Sequence, residues 1–177
     1  VIAAPKDELE LKNMMYSASM AQKGPYIIRY PRGCGEGVEW ESAAYETIQT
    51  GKGEKLADGT KVAVLAAGPF VYRALEAAEE LRSEKGWSPA IYNIRYIKPI
   101  DQEILSEVYA GYDRVITIED GTILGGLYGA VSEYMSAQDR PLPVCAIGIP
   151  DKYMTQGTQK ELRQECGLTK EGISDVI

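Results

Sequence analysis

The chain has 177 residues, of which 45% are hydrophobic and 25% are charged, a composition typical of a globular protein that buries a core. Its net charge of −7 argues against nucleic acid as a partner, since proteins that bind the phosphate backbone need clustered lysine and arginine. The sequence contains no histidine, which excludes a Ser-His-Asp triad and a histidine-rich metal site.

The start of the chain predicts a strand, a helix and a second strand. Val1–Ala4 is a short apolar run, and apolar residues then recur at helical spacing between Pro5 and Gly24. Residues 26–30 (YIIRY) are β-branched and aromatic, as in a strand. This order predicts a βαβ unit with a right-handed crossover, too small to fold alone. Because an initiating methionine is also missing, we expect the chain to begin in the middle of a longer protein.

The remainder of the chain predicts a linker and then a regular alternation of strands and helices. Residues 36–58 are rich in glycine and charge without sustained periodicity, which indicates a linker with room for a short helix at 42–48. The strands are predicted at 61–66, 90–96, 114–119 and 144–148. The helices are predicted at 71–86, 101–108, 125–135, 159–166 and 170–177. We therefore expect an α/β fold with a mostly parallel open sheet, preceded by the truncated βαβ unit.

A candidate anion contact follows the strand at 26–30, in the segment Arg29-Tyr30-Pro31-Arg32-Gly33. Ligands of open α/β sheets bind beyond the carboxyl ends of the strands, and arginine presents a planar fork to phosphate or carboxylate. Arg29 and Arg32 project to opposite faces of an extended chain, so we expect at most one of them to face a given pocket. A solvated charge at a strand end is the alternative interpretation.

A glycine-rich turn at 119–129 follows the strand at 114–119. Its glycine spacing does not fit a G-x-G-x-x-G phosphate loop, and Glu119 and Asp120 would repel phosphate. Adjacent strand residues point in opposite directions, so we do not expect these two carboxylates to form a catalytic dyad. We expect the glycines to let the following helix pack closely against the sheet or a partner subunit: Gly125, Gly126 and Gly129.

The other polar loops and the cysteines predict structure and not chemistry. Asp101 and Thr158 are expected to cap helices, and Lys98 is expected to be exposed. Residues 62–71, the most apolar stretch, are far fewer than the roughly 20 needed to cross a bilayer, so we expect no membrane segment. The three cysteines are widely spaced and form no C-x-x-C, as expected of reduced thiols in a cytoplasmic protein: Cys34, Cys145 and Cys166.

Taken in order, five loop motifs resemble the 1-deoxy-D-xylulose-5-phosphate synthase family. They are YPRG at 30–33, GKG at 51–53, R-x-I-K-P-I-D at 95–101, EDG at 119–121 with GG at 125–126, and I-P-D-x-x-x-x-Q-G-T-Q at 149–159. The resemblance implies a thiamine-diphosphate- and Mg²⁺-dependent transferase of the transketolase type. Such an enzyme is a cytoplasmic homodimer that condenses pyruvate with glyceraldehyde 3-phosphate, releases CO₂ and feeds isoprenoid, thiamine and pyridoxal synthesis.

The resemblance also implies a domain division and one site residue. Residues 1–35 would be the tail of the pyrimidine-binding domain, 36–58 a linker and 59–177 the C-terminal domain. Arg32 matches the arginine of the family's Y-P-R-G, which contacts the phosphate of the aldehyde substrate. The family's activating glutamate, metal ligands and catalytic histidines match nothing here. We therefore expect no catalytic, cofactor-binding or metal-binding residue in this chain, and Gln156 stands where many relatives carry histidine.

Two further interpretations stay open from the sequence. The chain also fits the C-terminal domain of a transketolase or of a 2-oxoacid dehydrogenase beta subunit, which share the strand-helix plan and a K-P-x-D loop. Alternatively, the chain acts by itself as a non-catalytic assembly module without a ligand of its own. We expect the isolated chain to be inactive, because most of the family's active site has no counterpart in it.

Overall fold

The computed structural model describes residues 1–21 and 24–177, and its first residues form the predicted βαβ unit. The unit consists of β1 (Ile2–Ala3), α1 (Glu8–Met20) and β2 (Ile27–Ile28), and β1 pairs with β2 in parallel. The side chain of Asp7 caps α1 by accepting a hydrogen bond of 2.7 Å from the Glu10 amide. A later strand, β6 (Tyr96–Lys98), completes this three-stranded sheet by pairing antiparallel with β1.

A second sheet of five strands forms the larger part of the protein, in the order β3-β5-β4-β7-β8. Its strands are β3 (Glu54–Ala57), β4 (Val62–Ala67), β5 (Ala90–Asn93), β7 (Arg114–Thr122) and β8 (Val144–Ile149). All neighbouring strands are parallel except β3, which runs antiparallel to β5. This arrangement confirms the predicted α/β fold with a mostly parallel sheet.

Helices cover both faces of the five-stranded sheet. The helices of this part are α2 (Phe70–Lys85), α3 (Gln102–Gly111), α4 (Leu127–Ser136), α5 (Gln159–Glu165) and α6 (Lys170–Val176), and all of them except α5 contribute buried residues to the core. Buried side chains of α3 and α4 share one hydrophobic core with the sheet, and those of α2 and α6 share the other. Every residue of β4 is buried as a result, which explains its unbroken apolar sequence.

The structure corrects three local predictions. No helix forms at 42–48, and a strand, β3, lies within the segment that was predicted as a linker. The strand predicted at 90–96 is divided, because Arg95 adopts a left-handed backbone conformation with φ 58°. The chain therefore leaves the five-stranded sheet after β5 and joins the other sheet as β6. Among the described residues, no helix combines the length and the apolar character that crossing a membrane requires.

Candidate functional site

Two arginines follow β2, and the structure places them in different surroundings. The Arg29 guanidinium lies 3.1 Å from a carboxylate oxygen of Glu119, whose side chain is only 3% exposed. Arg32 is exposed, and no carboxylate within residues 1–21 and 24–177 lies within ion-pair distance of its guanidinium. Glu119 thus neutralises the charge of Arg29, and Arg32 is the arginine of this segment that is available to an anion.

Glu119 also explains part of the glycine-rich turn. One oxygen of its carboxylate accepts a hydrogen bond of 2.5 Å from the Leu127 amide at the start of α4. A Cβ atom at Gly126 would overlap this carboxylate, so close packing requires glycine there, as predicted. The prediction is wrong for Gly125 and Gly129 within the chain, since a Cβ at either would meet nothing within 4 Å. Packing of α4 against a partner subunit stays a prediction.

The segment that carries Arg32 is held by the start of α5. The Gln159 side-chain amide donates a hydrogen bond to the Arg32 carbonyl oxygen, across 127 residues of sequence. Thr158 caps α5, as predicted, and forms a reciprocal capping box with Glu161. The Q-G-T-Q motif is therefore a helix start that fixes the Y-P-R-G motif. Neither motif alone signals this contact, because the sequence separation hides it.

A cavity of about 370 Å³ lies between the Arg32 segment and α5; we call it the α5 cavity. Its charged lining residues are Arg32, Asp120 and Arg163, and its apolar wall includes Ile149 and Leu162. The cavity lies at the carboxyl ends of β2, β7 and β8, the edge at which open α/β sheets bind ligands. Its two guanidinium groups against one carboxylate suit an anionic ligand.

A separate network of ion pairs and hydrogen bonds joins α1 to the five-stranded sheet. We call this network the seam, and its residues are Lys6, Glu10, Glu54, Asn93 and Arg95. Glu10 is buried and accepts hydrogen bonds from the Asn93 amide at 2.9 Å and from Nε of Arg95 at 2.6 Å. Arg95 also lies 2.6 Å from Glu54. Burial alone would lower the pKa of Arg95, but the two carboxylates outweigh it and raise the pKa above its usual value.

Two of the loop motifs are structural partners of each other. The Gly53 amide donates a hydrogen bond of 3.0 Å to the Asp101 carboxylate, which also caps α3. A Cβ at Gly53 would collide with the carbonyl oxygen of Asn93, so the loop approaches β5 more closely than any other residue permits. GKG and R-x-I-K-P-I-D therefore hold β3, β5 and α3 together. Lys98 is exposed, as predicted, and takes no part in this contact.

Among the remaining candidates, Cys166 lines the α5 cavity, and Gln156, Cys34 and Cys145 do not. Gln156 is exposed in the loop before α5, and all three cysteines are free thiols. Burial raises the pKa of the Cys166 thiol, which disfavours the reactive thiolate. Within the described ranges, 1–21 and 24–177, no group of three histidine, cysteine, aspartate or glutamate residues is placed to hold a metal ion.

Comparison with protein-family models identifies the family of this chain. The family model described as "Transketolase, C-terminal domain" matches residues 51–173. The chain belongs to the transketolase C-terminal domain family. The matched range begins just before β3 and includes every element of the five-stranded sheet.

Two similar curated proteins carry the same name. A Bacteroides thetaiotaomicron protein named 1-deoxy-D-xylulose-5-phosphate synthase is 44% identical over 173 residues, which are 98% of this chain and 27% of that protein. A Dictyoglomus turgidum protein of the same name is 42% identical over 177 residues, 100% of this chain and 28% of that protein. The chain thus spans about a quarter of the length of the curated relatives it matches.

Solved structures of the family agree with the fold. A structure described as "Split gene transketolase, inactive beta4 tetramer" matches with a TM-score of 0.80 and 27% identity, covering 98% of this chain and 54% of that one. A Pichia stipitis transketolase matches with a TM-score of 0.68 at 18% identity, covering 99% of this chain and 24% of that one. The second likeness shows the fold alone.

Proposed function

We propose that the chain is the C-terminal part of a 1-deoxy-D-xylulose-5-phosphate synthase, which condenses pyruvate with glyceraldehyde 3-phosphate and releases CO₂. The observation that carries this proposal is the identity of 44% and 42% to proteins of that name along essentially the whole chain. The matching transketolase structures are 27% and 18% identical. This difference favours the synthase over a transketolase.

The proposed domain division follows the order of the chain, and, among the described residues, β6 is the one strand of the proposed C-terminal domain that pairs with the first unit. Residues 1–35 would be the tail of the pyrimidine-binding domain, because β1, α1 and β2 form a unit outside the five-stranded sheet. The segment at 36–58 would connect it to the C-terminal domain. The family model begins at residue 51 and β3 belongs to the five-stranded sheet, which favours placing the end of the linker near residue 50.

Cofactor binding in this proposal belongs to the part of the enzyme outside the chain. Thiamine diphosphate would supply the carbon nucleophile, and Mg²⁺ would bind its diphosphate. The described residues offer no group of metal ligands, so they do not fit the diphosphate and its metal ion. In this proposal the chain contributes substrate binding and assembly, and no step of the reaction is assigned to its side chains.

Arg32 is proposed to bind the phosphate of glyceraldehyde 3-phosphate. Its guanidinium is exposed, is unpaired among the described residues and lines the α5 cavity. Binding energy from a phosphate remote from the reacting carbon orients the aldehyde for attack. A charge-assisted contact of this kind is worth about 1.5–3 kcal/mol.

Steady-state kinetics of a complete synthase that contains this chain test this assignment. Arg32→Ala should raise the KM of glyceraldehyde 3-phosphate about tenfold or more, because a lost contact of about 1.5 kcal/mol corresponds to that factor. The KM of pyruvate, which carries no phosphate, should change little. Equal effects on the two substrates would contradict the assignment of Arg32.

The chain by itself is proposed to be an inactive assembly module. The split-gene transketolase supports this proposal, because a tetramer of its beta chains is described as inactive. Calorimetry of the 177-residue chain with thiamine diphosphate and Mg²⁺ tests the proposal, and we expect no heat of binding. Tight binding of the cofactor would contradict it.

A homodimer in the cytoplasm completes the proposal. The free cysteines are compatible with a reducing compartment. Leu124 in the turn before α4 is 55% exposed, and a Cβ at Gly129 on α4 would meet nothing within 4 Å, so both positions leave room for a second copy. Sedimentation of the complete protein with and without Leu124→Glu would test the contact, and we expect the charged variant to dissociate more readily.

A further inference from the structure

A segment with three glycines directly follows Arg32; we call residues 33–37 (Gly-Cys-Gly-Glu-Gly) the glycine loop. Gly33 and Gly37 have positive φ values of 127° and 81°, which residues with a side chain rarely adopt. The loop contains no helix or strand, and its glycines give the backbone wide conformational freedom. Arg32 therefore borders a segment that is flexible unless other parts of the protein hold it.

Side chains of two helices hold the glycine loop. One carboxylate oxygen of Glu8, in the first turn of α1, accepts a hydrogen bond of 2.8 Å from the Gly37 amide. The guanidinium of Arg73 on α2 lies 3.0 Å from the Glu36 carboxylate. The start of α5 holds Arg32 itself. The segment from Arg32 to Gly37 is therefore fixed at both of its ends, by helices from both units of the protein.

The contact with Glu8 is the stronger of the two contacts to the loop. A Cβ atom at Gly35 would overlap the Glu8 carboxylate, so the loop lies directly against this side chain. The other carboxylate oxygen of Glu8 is buried and has no hydrogen-bond partner among the residues that the structure describes. Arg73, by contrast, is partly exposed and divides its guanidinium between Glu36 and Glu76, and a pair of that kind is weak.

We infer that Glu8 is a positioning residue for the proposed substrate contact: its carboxylate holds the glycine loop and thereby keeps Arg32 at the wall of the α5 cavity. The inference rests on the proposed function and adds a residue of the first unit to it. Glu8 does not line the α5 cavity, so we expect it not to touch the ligand. A guanidinium that is fixed before binding loses less binding energy to ordering. Loss of Glu8 should therefore weaken the binding of the aldehyde and leave the chemical step unchanged.

The test compares Glu8→Ala with Glu8→Gln in a complete synthase that contains this chain. Glutamine keeps an oxygen that can accept the hydrogen bond from the Gly37 amide, and alanine does not. We expect Glu8→Ala to raise the KM of glyceraldehyde 3-phosphate about threefold to tenfold, the factor that one lost hydrogen bond gives. The turnover number kcat and the KM of pyruvate should change little. Glu8→Gln should stay near wild type in all three.

Glu103→Ala is the matched control for the loss of a negative charge at the start of a helix. Glu103 lies in the first turn of α3, its side chain is 84% exposed, and it pairs with Lys52 and not with the glycine loop. Its variant should leave the KM of the aldehyde unchanged.

A second variant covers the case in which Glu8→Ala does not fold. Gly35→Ala leaves α1 intact and places a methyl group against the Glu8 carboxylate, so it should displace the loop and raise the KM of the aldehyde by a similar factor. Gly111→Ala is its control, because a Cβ there would meet nothing within 4 Å. Where Glu8→Ala folds, adding Gly35→Ala to it should raise the KM no further, since the methyl group then has room. An unchanged KM in Gly35→Ala would overturn the inference.

The outcomes separate this inference from the proposed function. If Arg32→Ala raises the KM of the aldehyde and Glu8→Ala behaves like Glu103→Ala, the inference is wrong and the proposed function stands. An equal rise in Glu8→Gln and Glu8→Ala would also contradict the inference, because the hydrogen bond to the loop would then not matter. If Arg32→Ala has no effect on the KM of the aldehyde, the proposed role of Arg32 fails, and the positioning role of Glu8 fails with it.

Discussion

At the seam and at the α5 cavity, an arginine of one segment lies against a segment that is distant in sequence. The arginine of the seam is paired with carboxylates, and the arginines of the cavity are not. In the seam, Arg95 is matched by Glu10 and Glu54 at 2.6 Å each. At the α5 cavity, Arg32 and Arg163 have no such partner within residues 1–21 and 24–177, and Asp120 is the single carboxylate of the lining. Paired charges at the seam connect two parts of the protein. Unpaired charges at the cavity leave it with two guanidinium groups against one carboxylate.

The difference between the seam and the cavity indicates how arginines with a structural role can be distinguished from arginines with a functional role in an acidic chain. A buried cation must be paired, since an isolated buried charge costs several kcal/mol. An arginine that its neighbours fix in place but that has no carboxylate partner is not needed for charge pairing within the fold. A ligand is the natural explanation for its charge. A substitution that removes one partner of an ion pair should therefore change the stability of the protein. A substitution that removes an unpaired cation should change ligand binding.

The largest expected loss of stability follows from removing the buried carboxylate of the seam. Glu10→Ala removes the buried one of the two carboxylates that Arg95 and Asn93 contact and leaves them with Glu54 alone, so the free energy of unfolding should fall by about 2–4 kcal/mol. Urea unfolding of the wild type and the variant measures the change. Glu79→Ala is the control, because its pair with Arg82 is exposed and should contribute at most about 0.5 kcal/mol. Similar losses in the two variants would show that the seam is not a structural pair.

The glycines at the start of α4 provide a matched pair of variants. Gly126→Ala forces a methyl group into the Glu119 carboxylate and should destabilise the protein by about 1–3 kcal/mol. Gly129→Ala meets open space inside the helix and should stabilise it, by up to about 1 kcal/mol. Thermal unfolding of the isolated chain compares the two. Equal shifts of Tm in the same direction would contradict the packing of Glu119 against Gly126.

A smaller effect is expected from Asp7 and depends on pH. Burial alone would raise the pKa of Asp7, but hydrogen bonds from the Glu10 amide and the Tyr72 hydroxyl, with the charge of Lys6, hold it below the ordinary value of 3.8. The carboxylate therefore stabilises the fold above that value, and this contribution is lost as the pH falls through the folded pKa.

Unfolding of Asp7→Asn at several pH values measures this contribution. Asparagine still caps α1 but loses the charge, so the variant should be less stable by about 1 kcal/mol at pH 7. The difference from wild type should shrink as the pH falls below the ordinary value of 3.8. A difference that is constant with pH would show that the charge of Asp7 contributes nothing.

Local sequence signals predicted the elements whose causes are local. The helices α2 and α3 follow from apolar periodicity, and their ends follow from Gly86, in a left-handed conformation at φ 71°, and from the cap at Asp101. The parallel sheet follows from unbroken apolar strands separated by helices. By contrast, β3 has a charged, glycine-flanked sequence, and only its pairing with β5 makes it a strand.

The candidate site was predictable only in part, because its geometry depends on distant contacts. The strand end pointed to Arg29 and Arg32, and the resemblance to the Y-P-R-G motif pointed to Arg32, but the pairing of Arg29 depends on Glu119, 90 residues away. The contact of Gln159 with the Arg32 segment has no local signal at all. The left-handed conformation of Arg95 is equally hidden, since arginine gives no hint of a positive φ.

The most direct test of this account is the KM of glyceraldehyde 3-phosphate in Arg29→Gln and Arg32→Gln, measured in a complete synthase that contains this chain. Arg29 is paired with the buried Glu119, so its variant should lose stability, by about 1–2 kcal/mol, and keep a nearly normal KM. Arg32 is unpaired, so its variant should keep its stability and show a KM about tenfold higher or more. The reverse pattern, with Arg29→Gln raising the KM and Arg32→Gln leaving it unchanged, would contradict the account.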